Sequence, residues 1–201
     1  FSPAVSSALV VRRHMELYGT TAQQLAHVAT TFRSHASYNP RAVMGDRPMT
    51  LEDYHASRMV ADPLRLFDCC LETDGACAVV VTSADRARDL AKGGVDILGH
   101  AQGAEQGYSY GIFGNVNMPD ELYASAGAAG VARRLWSSAG LGPEDVDVAQ
   151  LYDHFSGMML LTLEDFGLCG RGESGPFVES GALSWEGGSL PTNTHGGSLS
   201  E

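Results

Sequence analysis

Val146-Asp147-Val148-Ala149-Gln150-Leu151 reads as a strand, residues 154–166 read as the helix that follows it, and Tyr152-Asp153-His154-Phe155-Ser156-Gly157 carries the chain from one to the other. A strand that ends where a helix begins is the place where α/β proteins put ligands. Tyr152, Asp153, His154 and Ser156 crowd four polar side chains into that turn within an apolar neighbourhood. A phenol with an unperturbed pKa of about 10 can give up a proton or stabilise an enolate or alkoxide. To act as a base it needs a lowered pKa. The plainer alternative is that Asp153 or Ser156 caps the helix and Tyr152 is a core side chain with a satisfied hydroxyl.

Working outward, strands and helices alternate along the chain, which predicts an α/β architecture with crossover connections. Pro3 at a tolerated first-turn position, an apolar stripe of Ala4, Leu9, Val10, Val11 and Met15, and the stop at Gly19 predict a first helix. Leu25, Val28, Ala29 and Phe32 give a second helix from Thr21 that ends before Asn39-Pro40. Residues 41–49 read as a loop, and Thr50-Leu51-Glu52-Asp53 has the form of a capping signal for a short helix. Short extended pieces alternate over 58–72. The apolar run Gly75–Thr82 is expected as a buried strand, followed by a short helix capped by Ser83 and stopped by Gly93-Gly94. Val95 to Ala104 reads as another strand, Gly103–Met118 as a loop, Asp120–Ala139 as a long helix closed by Gly140, and the rest as a Gly-rich stretch.

Composition narrows the function classes. With 201 residues, the length allows one large domain or two small ones. The 24 acidic residues against 13 Lys plus Arg give a net charge of −11, which argues against a nucleic-acid-binding surface. No apolar run approaches the roughly 18–20 residues of a membrane span, and no charged-then-apolar signal opens the sequence, so membrane insertion is not expected and a cytoplasmic setting is. Glycine is in excess: 24 residues, about 12% against an average near 7%. A Gly-dense but apolar chain suggests tight loops around a site.

One such loop is Asn193-Thr194-His195-Gly196-Gly197-Ser198. Paired glycines let the backbone approach a ligand, and His195 can donate a hydrogen bond or shuttle a proton. The alternative is a tight turn with a structural histidine. Cys69, Cys70, Cys77 and Cys169 form no Cys-x-x-Cys pair, so no metal site is expected and the thiols read as reduced and mostly buried. His14, His27, His35, His55 and His100 stand singly and read as structural or solvated.

Together these motifs resemble the thiolase superfamily over nearly the whole chain. Asp62-Pro63-Leu64-Arg65-Leu66-Phe67-Asp68-Cys69-Cys70 followed by Asp74-Gly75-Ala76-Cys77-Ala78-Val79-Val80 is similar to the strand that ends the family's first half. Asn193-Thr194-His195-Gly196-Gly197 is similar to its Asn-x-x-Gly-Gly, and Tyr152-Asp153-His154-Phe155 falls where thiolases carry Asn-Glu-Ala-Phe. The resemblance implies an α-β-α-β-α sandwich, here an incomplete chain: residues 1–94 as the later part of the first half and 95–201 as most of the second. The family's early active-site Cys would precede Phe1 and its Gly-His-Pro histidine would fall just past Glu201, so a piece of a longer protein is expected.

Tyr152 in place of Asn narrows the resemblance to thiolase-like lipid-transfer proteins related to the sterol carrier protein x thiolase domain, and among them to steroid side-chain-cleaving aldolases. That resemblance implies retro-aldol cleavage of a β-hydroxyacyl-CoA, with Tyr152 as acid/base and a second tyrosine beyond Glu201. Asp153, His154 and His195 would complete the catalytic set, with Asn193, Gly196 and Gly197 at the substrate. His195 or the N–H groups at Gly196-Gly197 would stabilise the enolate oxygen. No cofactor is implied beyond the CoA of the thioester. The implied partners are a second copy in a homodimer and a small OB-fold, zinc-ribbon protein. Two other readings stay open: a degradative thiolase using Cys chemistry, and a non-catalytic lipid-binding subunit. An acidic chain also requires that any CoA site be locally basic or completed by a partner.

Overall fold

In a computed structural model, the structure describes residues 2–90, 92, 94–108 and 117–201. Helix α1 spans Pro3–Tyr18 and ends on Gly19, whose left-handed φ of 74° lets its N–H close on Met15 O. Helix α2, Ala22–Ser37, opens with a reciprocal capping box between Thr21 and Gln24. Thr50 and Asp53 form the same box at α3, Leu51–Ala56. All three helices match expectation because their start and stop signals are local. The stripe of α1 differs in detail. Ser7, Ala8, Val10, Val11 and His14 are its buried residues, while Leu9 is 46% exposed.

Strands β1 (Met59–Ala61) and β2 (Leu64–Arg65) form an antiparallel pair that turns through Asp62-Pro63, and a single 3-10 turn, Leu66–Asp68, follows. Helix α4, Ala84–Arg88, is capped by Ser83 as expected. Gly93 and residues 109–116 lie outside the described residues, and with them one residue of the Gly93-Gly94 stop and half of the loop over 103–118. The long helix expected over Asp120–Ala139 is divided. A 3-10 turn covers Asp120–Leu122, and α5 covers only Ala129–Ala139, ending on Gly140 at φ 68°. Between them Gly127 takes φ 73°, outside the helical region, and the buried Asp165 carboxylate takes the Ser125 hydroxyl (2.8 Å) and the Ala128 N–H (2.9 Å).

The expected strands are the main correction. Gly75–Thr82 and Val95–Ala104 are neither strands nor buried: Val79, Val80 and Val95 are 87%, 93% and 95% exposed. A strand is made by its neighbours, and among the described residues no segment is hydrogen-bonded to these backbone N–H and C=O groups as a ladder. Val146–Leu151 is extended, but its ladder is a single parallel bridge, Ala149 to Thr192. The following helix, α6, starts at Ser156 instead of His154 and runs to Asp165; α7, Ser174–Glu179, lies in the Gly-rich stretch. The four cysteines are free, as expected, but none is buried: Cys77 is exposed and the other three are half-buried.

Helix α6 is the centre of the core. Met159, Leu160, Leu161 and Leu163 are all buried, as in a helix enclosed by others, and its buried polar residues Ser156, Glu164 and Asp165 are hydrogen-bonded. It packs on α1, α2 and α7. From α2, Leu25, Val28, Ala29 and Phe32 are buried in the same cluster, as their spacing predicts. Among the described residues no helix is long and apolar enough to cross a membrane.

Close packing of α6 on α1 needs a glycine. A Cβ at Gly157 would overlap the methyl groups of Val11. Gly157→Ala should therefore destabilise the protein by about 1–3 kcal/mol in denaturant unfolding, and adding Val11→Ala should recover part of that loss.

Candidate active site

A cavity of about 490 Å³ opens beside the strand–helix turn; Arg41, Cys70, Leu71, Tyr152, His195 and Glu201 are on its wall. Tyr152 and His195 thus meet at one space despite their separation in sequence. The structure that brings them together is mostly backbone. Cys69 bridges Phe155 in antiparallel register, Cys70 N–H donates to His154 O (3.0 Å) and Leu71 N–H donates to Ser198 O (3.1 Å). Residues 69–71 therefore form a floor shared by the Tyr152 turn and the His195 loop.

The other side of the turn is tied by Asn193. Its own N–H donates to Ala149 O (3.0 Å), after which its side chain takes over the ladder. Oδ1 accepts from Leu151 N–H and Nδ2 donates to Leu151 O, each at 2.8 Å. The backbone has meanwhile turned to φ 48°, a left-handed conformation that Asn tolerates better than most residues. In this chain the Asn193 side chain is committed to Leu151.

Asp153 is buried and faces away from the cavity. Its Oδ1 accepts from Ser198 N–H (2.8 Å) and its Oδ2 from Leu199 N–H (3.1 Å), while burial raises its pKa despite those bonds. The glycines serve this contact. A Cβ at Gly197 would overlap Asp153 Oδ2, and Gly197 itself sits at φ 64°. Gly196, at φ 120°, would place a Cβ 2.8 Å from that of Ala36 on α2, and its N–H is already donated to Asn193 O at 3.0 Å. Arg33 of α2 holds the same loop through Ser200 Oγ at 2.9 Å.

Tyr152 and His195 are open to solvent at the cavity. Tyr152 is 69% exposed, so it is not a core side chain, and neither Asp153 nor Ser156 caps α6, which has no side-chain cap. The Tyr152 ring stacks on His154, with centroids 4.5 Å apart and planes 16° from parallel. Burial lowers the His154 pKa, which favours a neutral ring. His195 Nε2 lies 3.0 Å from Glu201 Oε2, and Asn39 Nδ2 donates to His195 O at 3.1 Å. Arg41, Ser198 and Glu201 also line the cavity, although the sequence marks Ser198 only as the end of the Gly-Gly loop and gives no motif to Arg41 or Glu201.

The half-buried thiols, of which only Cys70 lines this cavity, are poor nucleophiles. Burial pushes Cys69 up to about 11 and Cys169 up to about 12; burial and the Asp153 carboxylate also raise Cys70. Among the described residues no group of three His, Cys, Asp or Glu could hold a metal ion. What the arrangement offers is proton transfer: a phenol and a carboxylate-paired imidazole on one wall.

This combination of core helix, strand-end turn and Asn-x-x-Gly-Gly loop defines a thiolase-like fold, and residues 114–201 match the thiolase C-terminal domain-like family. Among its relatives, the chain is 45% identical over its whole length to the 17-hydroxy-3-oxo-4-pregnene-20-carboxyl-CoA lyase of Mycobacterium tuberculosis, covering 51% of that protein. It is 42% identical over its whole length to the steroid side-chain-cleaving aldolase of Thermomonospora curvata, covering 50% of it. The solved structure of an Ltp2-ChsH2(DUF35) aldolase superposes on all of the chain with a TM-score of 0.85 at 41% identity, over 51% of that chain. The chain spans about half the length of the curated relatives it matches.

The Asn193 turn also depends on His35, which is buried. His35 Nδ1 donates to Asn193 O (3.1 Å) and Nε2 accepts from Trp185 N–H (3.2 Å), an assignment that requires the neutral ring. Burial lowers its pKa below the ordinary 6.5. Acidification through 6.5 then protonates the unfolded chain before the folded one, so unfolding free energy should fall as the pH drops below that value. The slope, measured by denaturant titration at a series of pH values, should be shallower in His35→Asn; His154 contributes a slope of the same sign.

Proposed function

We propose that the chain carries the acid–base centre of an aldolase that cleaves a β-hydroxyacyl-CoA with a steroid side chain into a ketone and a short acyl-CoA. The observation that carries this reading is Tyr152, a phenol open to the cavity that also holds a carboxylate-paired His195, where the nearest thiol is held protonated. The names of the relatives, a steroid acyl-CoA lyase and a steroid side-chain-cleaving aldolase, support the same chemistry.

The step balances without a nucleophile. A base takes the β-hydroxyl proton, the electrons of the O–H bond become the second carbon–oxygen bond of the ketone, the Cα–Cβ bond breaks, and its electrons pass to the thioester as an enolate. A proton then returns to Cα. Tyr152 moves a proton in this sequence. Glu201 on Nε2 leaves the other His195 nitrogen to donate to the enolate oxygen when the ring is protonated. His154 holds the Tyr152 ring by stacking, while Asp153, Asn193, Gly196 and Gly197 hold the loops that frame the substrate.

Residues 1–94 and 95–201 then act as parts of two thiolase-like halves. The enzyme works in the cytoplasm as a homodimer with a small OB-fold, zinc-ribbon partner and needs no cofactor beyond the CoA of its substrate. A partner of this kind is supported by the two-component name of the aldolase structure that superposes on the chain. In the complete enzyme with its partner, Tyr152→Phe should lower the rate of ketone release by at least about 100-fold while leaving assembly intact by size exclusion. Cleavage at near the wild-type rate in that variant would remove Tyr152 from the mechanism.

A further inference from the structure

Behind the cavity floor lies a second buried carboxylate that the acid–base mechanism does not use. Asp68 is fully buried and ends the 3-10 turn that leads into Cys69–Leu71. Its partners are all neutral. The Tyr54 hydroxyl of α3 donates to both oxygens (2.8 and 2.7 Å), Arg65 N–H donates to Oδ2 at 2.6 Å, and the Ser156 hydroxyl donates to Oδ1. Among the described residues no cation stands within ion-pair distance of it; the Arg65 guanidinium is turned to Ser57 O at 2.7 Å. Burial raises the Asp68 pKa.

We propose that Asp68 is a positioning residue for carbon–carbon cleavage, fixing the turn that presents Tyr152 through Ser156 and through the floor segment Cys69–Leu71. The proposal rests on the reading of Tyr152 above. The geometry closes a short ring. Asp68 is covalently joined to Cys69, Cys69 bridges Phe155, Phe155 is joined to Ser156, and the Ser156 hydroxyl returns to Asp68. Tyr152 leaves this ring three residues before Phe155, and Cys70 and Leu71 leave it on the other side as cavity wall. A shift of Ser156 therefore moves the phenol relative to both the floor and His195. Holding a carboxylate out of water on neutral donors is a costly way to pack a core, but it fixes direction where apolar contacts fix only distance.

The test uses the complete enzyme with its partner and three variants: Ser156→Ala, Asp68→Asn and the two combined. Ser156→Ala removes only the hydroxyl that links Asp68 to the turn. It is expected to lower kcat by about tenfold or more with KM within about twofold, since misplacing a reacting group by a fraction of an ångström affects chemistry more than binding. Asp68→Asn is expected to do the same, and the double variant to be no slower than Asp68→Asn alone, because both act through one link. Wild-type kcat in Ser156→Ala, with a lowered melting temperature as the only effect, overturns the proposal, and it does so whether or not Asp68→Asn folds. Additive losses in the double variant overturn it as well. Tyr152→Phe run in parallel separates the two readings. If that variant is inactive while Ser156→Ala is unimpaired, only the role of Asp68 fails; if it still cleaves, the reading of Tyr152 fails and takes the proposal with it.

Discussion

The contact between the Asp153 carboxylate and the N–H groups of Ser198 and Leu199 is the constraint on which the candidate site depends. It joins two loops that arise far apart in the chain, and it explains why each has its sequence. Asp153 must follow Tyr152 so that one side chain points to the loop while its neighbour points to the cavity. Gly197 must lack a Cβ because the carboxylate occupies that volume. Asn193 must leave the ladder at positive φ so that the chain can turn back beneath Asp153. The pattern therefore records the anchoring of the cavity wall, and the groups left over, Tyr152 and His195, are the ones open to that cavity.

Buried carboxylates are handled in two ways here. Glu164 lies deep between α1 and α6 with His14 Nε2 at 2.9 Å and Ser174 Oγ at 2.6 Å, and these hydrogen bonds outweigh burial so that its pKa is lowered. Its stabilisation is present above its unfolded pKa and is lost as the pH falls through the folded value. Asp68 and Asp153 have raised pKa values, because burial outweighs the neutral donors around them. Their sign is the reverse: ionisation beyond the unfolded pKa weakens the fold as the pH rises toward the folded value. At neutral pH the carboxylate inside the helical core supports stability, while the two that frame the site reduce it. Geometry bought at the expense of stability is expected where a functional surface must be held in place.

Helices α1 to α4 were legible in the sequence because a helix closes its hydrogen bonds within itself, whereas α5 is shorter than its pattern and α7 carries none. Pro3, Gly19, the Thr21–Gln24 box and the Thr50–Asp53 box each act within four residues. The strands were not, since the valines of 79–81 can be part of a sheet only if another segment lies beside them, and a linear pattern does not say which one. At the candidate site, Tyr152 and His195 stood out as candidates by residue type and by the family resemblance, and both line one cavity. The commitment of Asn193 to Leu151, of Gly196 N–H to Asn193 O and of Asp153 to the opposite loop could not, because the same polar side chains suit a ligand or a backbone group equally well. Asp68 was hidden for a related reason. It stands beside two cysteines that draw the eye, and its partners Tyr54 and Ser156 carry no motif.

The exposure of Tyr152 bears on how such a site can be built at all. A phenol used for proton transfer must reach solvent or substrate, yet a ring that is mostly exposed has little packing to fix its direction. His154 supplies one face by stacking, and its low pKa keeps that face uncharged. The remaining constraint has to come from the backbone, which is where the floor segment enters: Cys70 N–H on His154 O and the Cys69–Phe155 bridge fix the turn along the cavity floor. Because the ring is held from behind by stacking and from below by backbone, its hydroxyl stands at the cavity with no hydrogen-bond partner among the described residues.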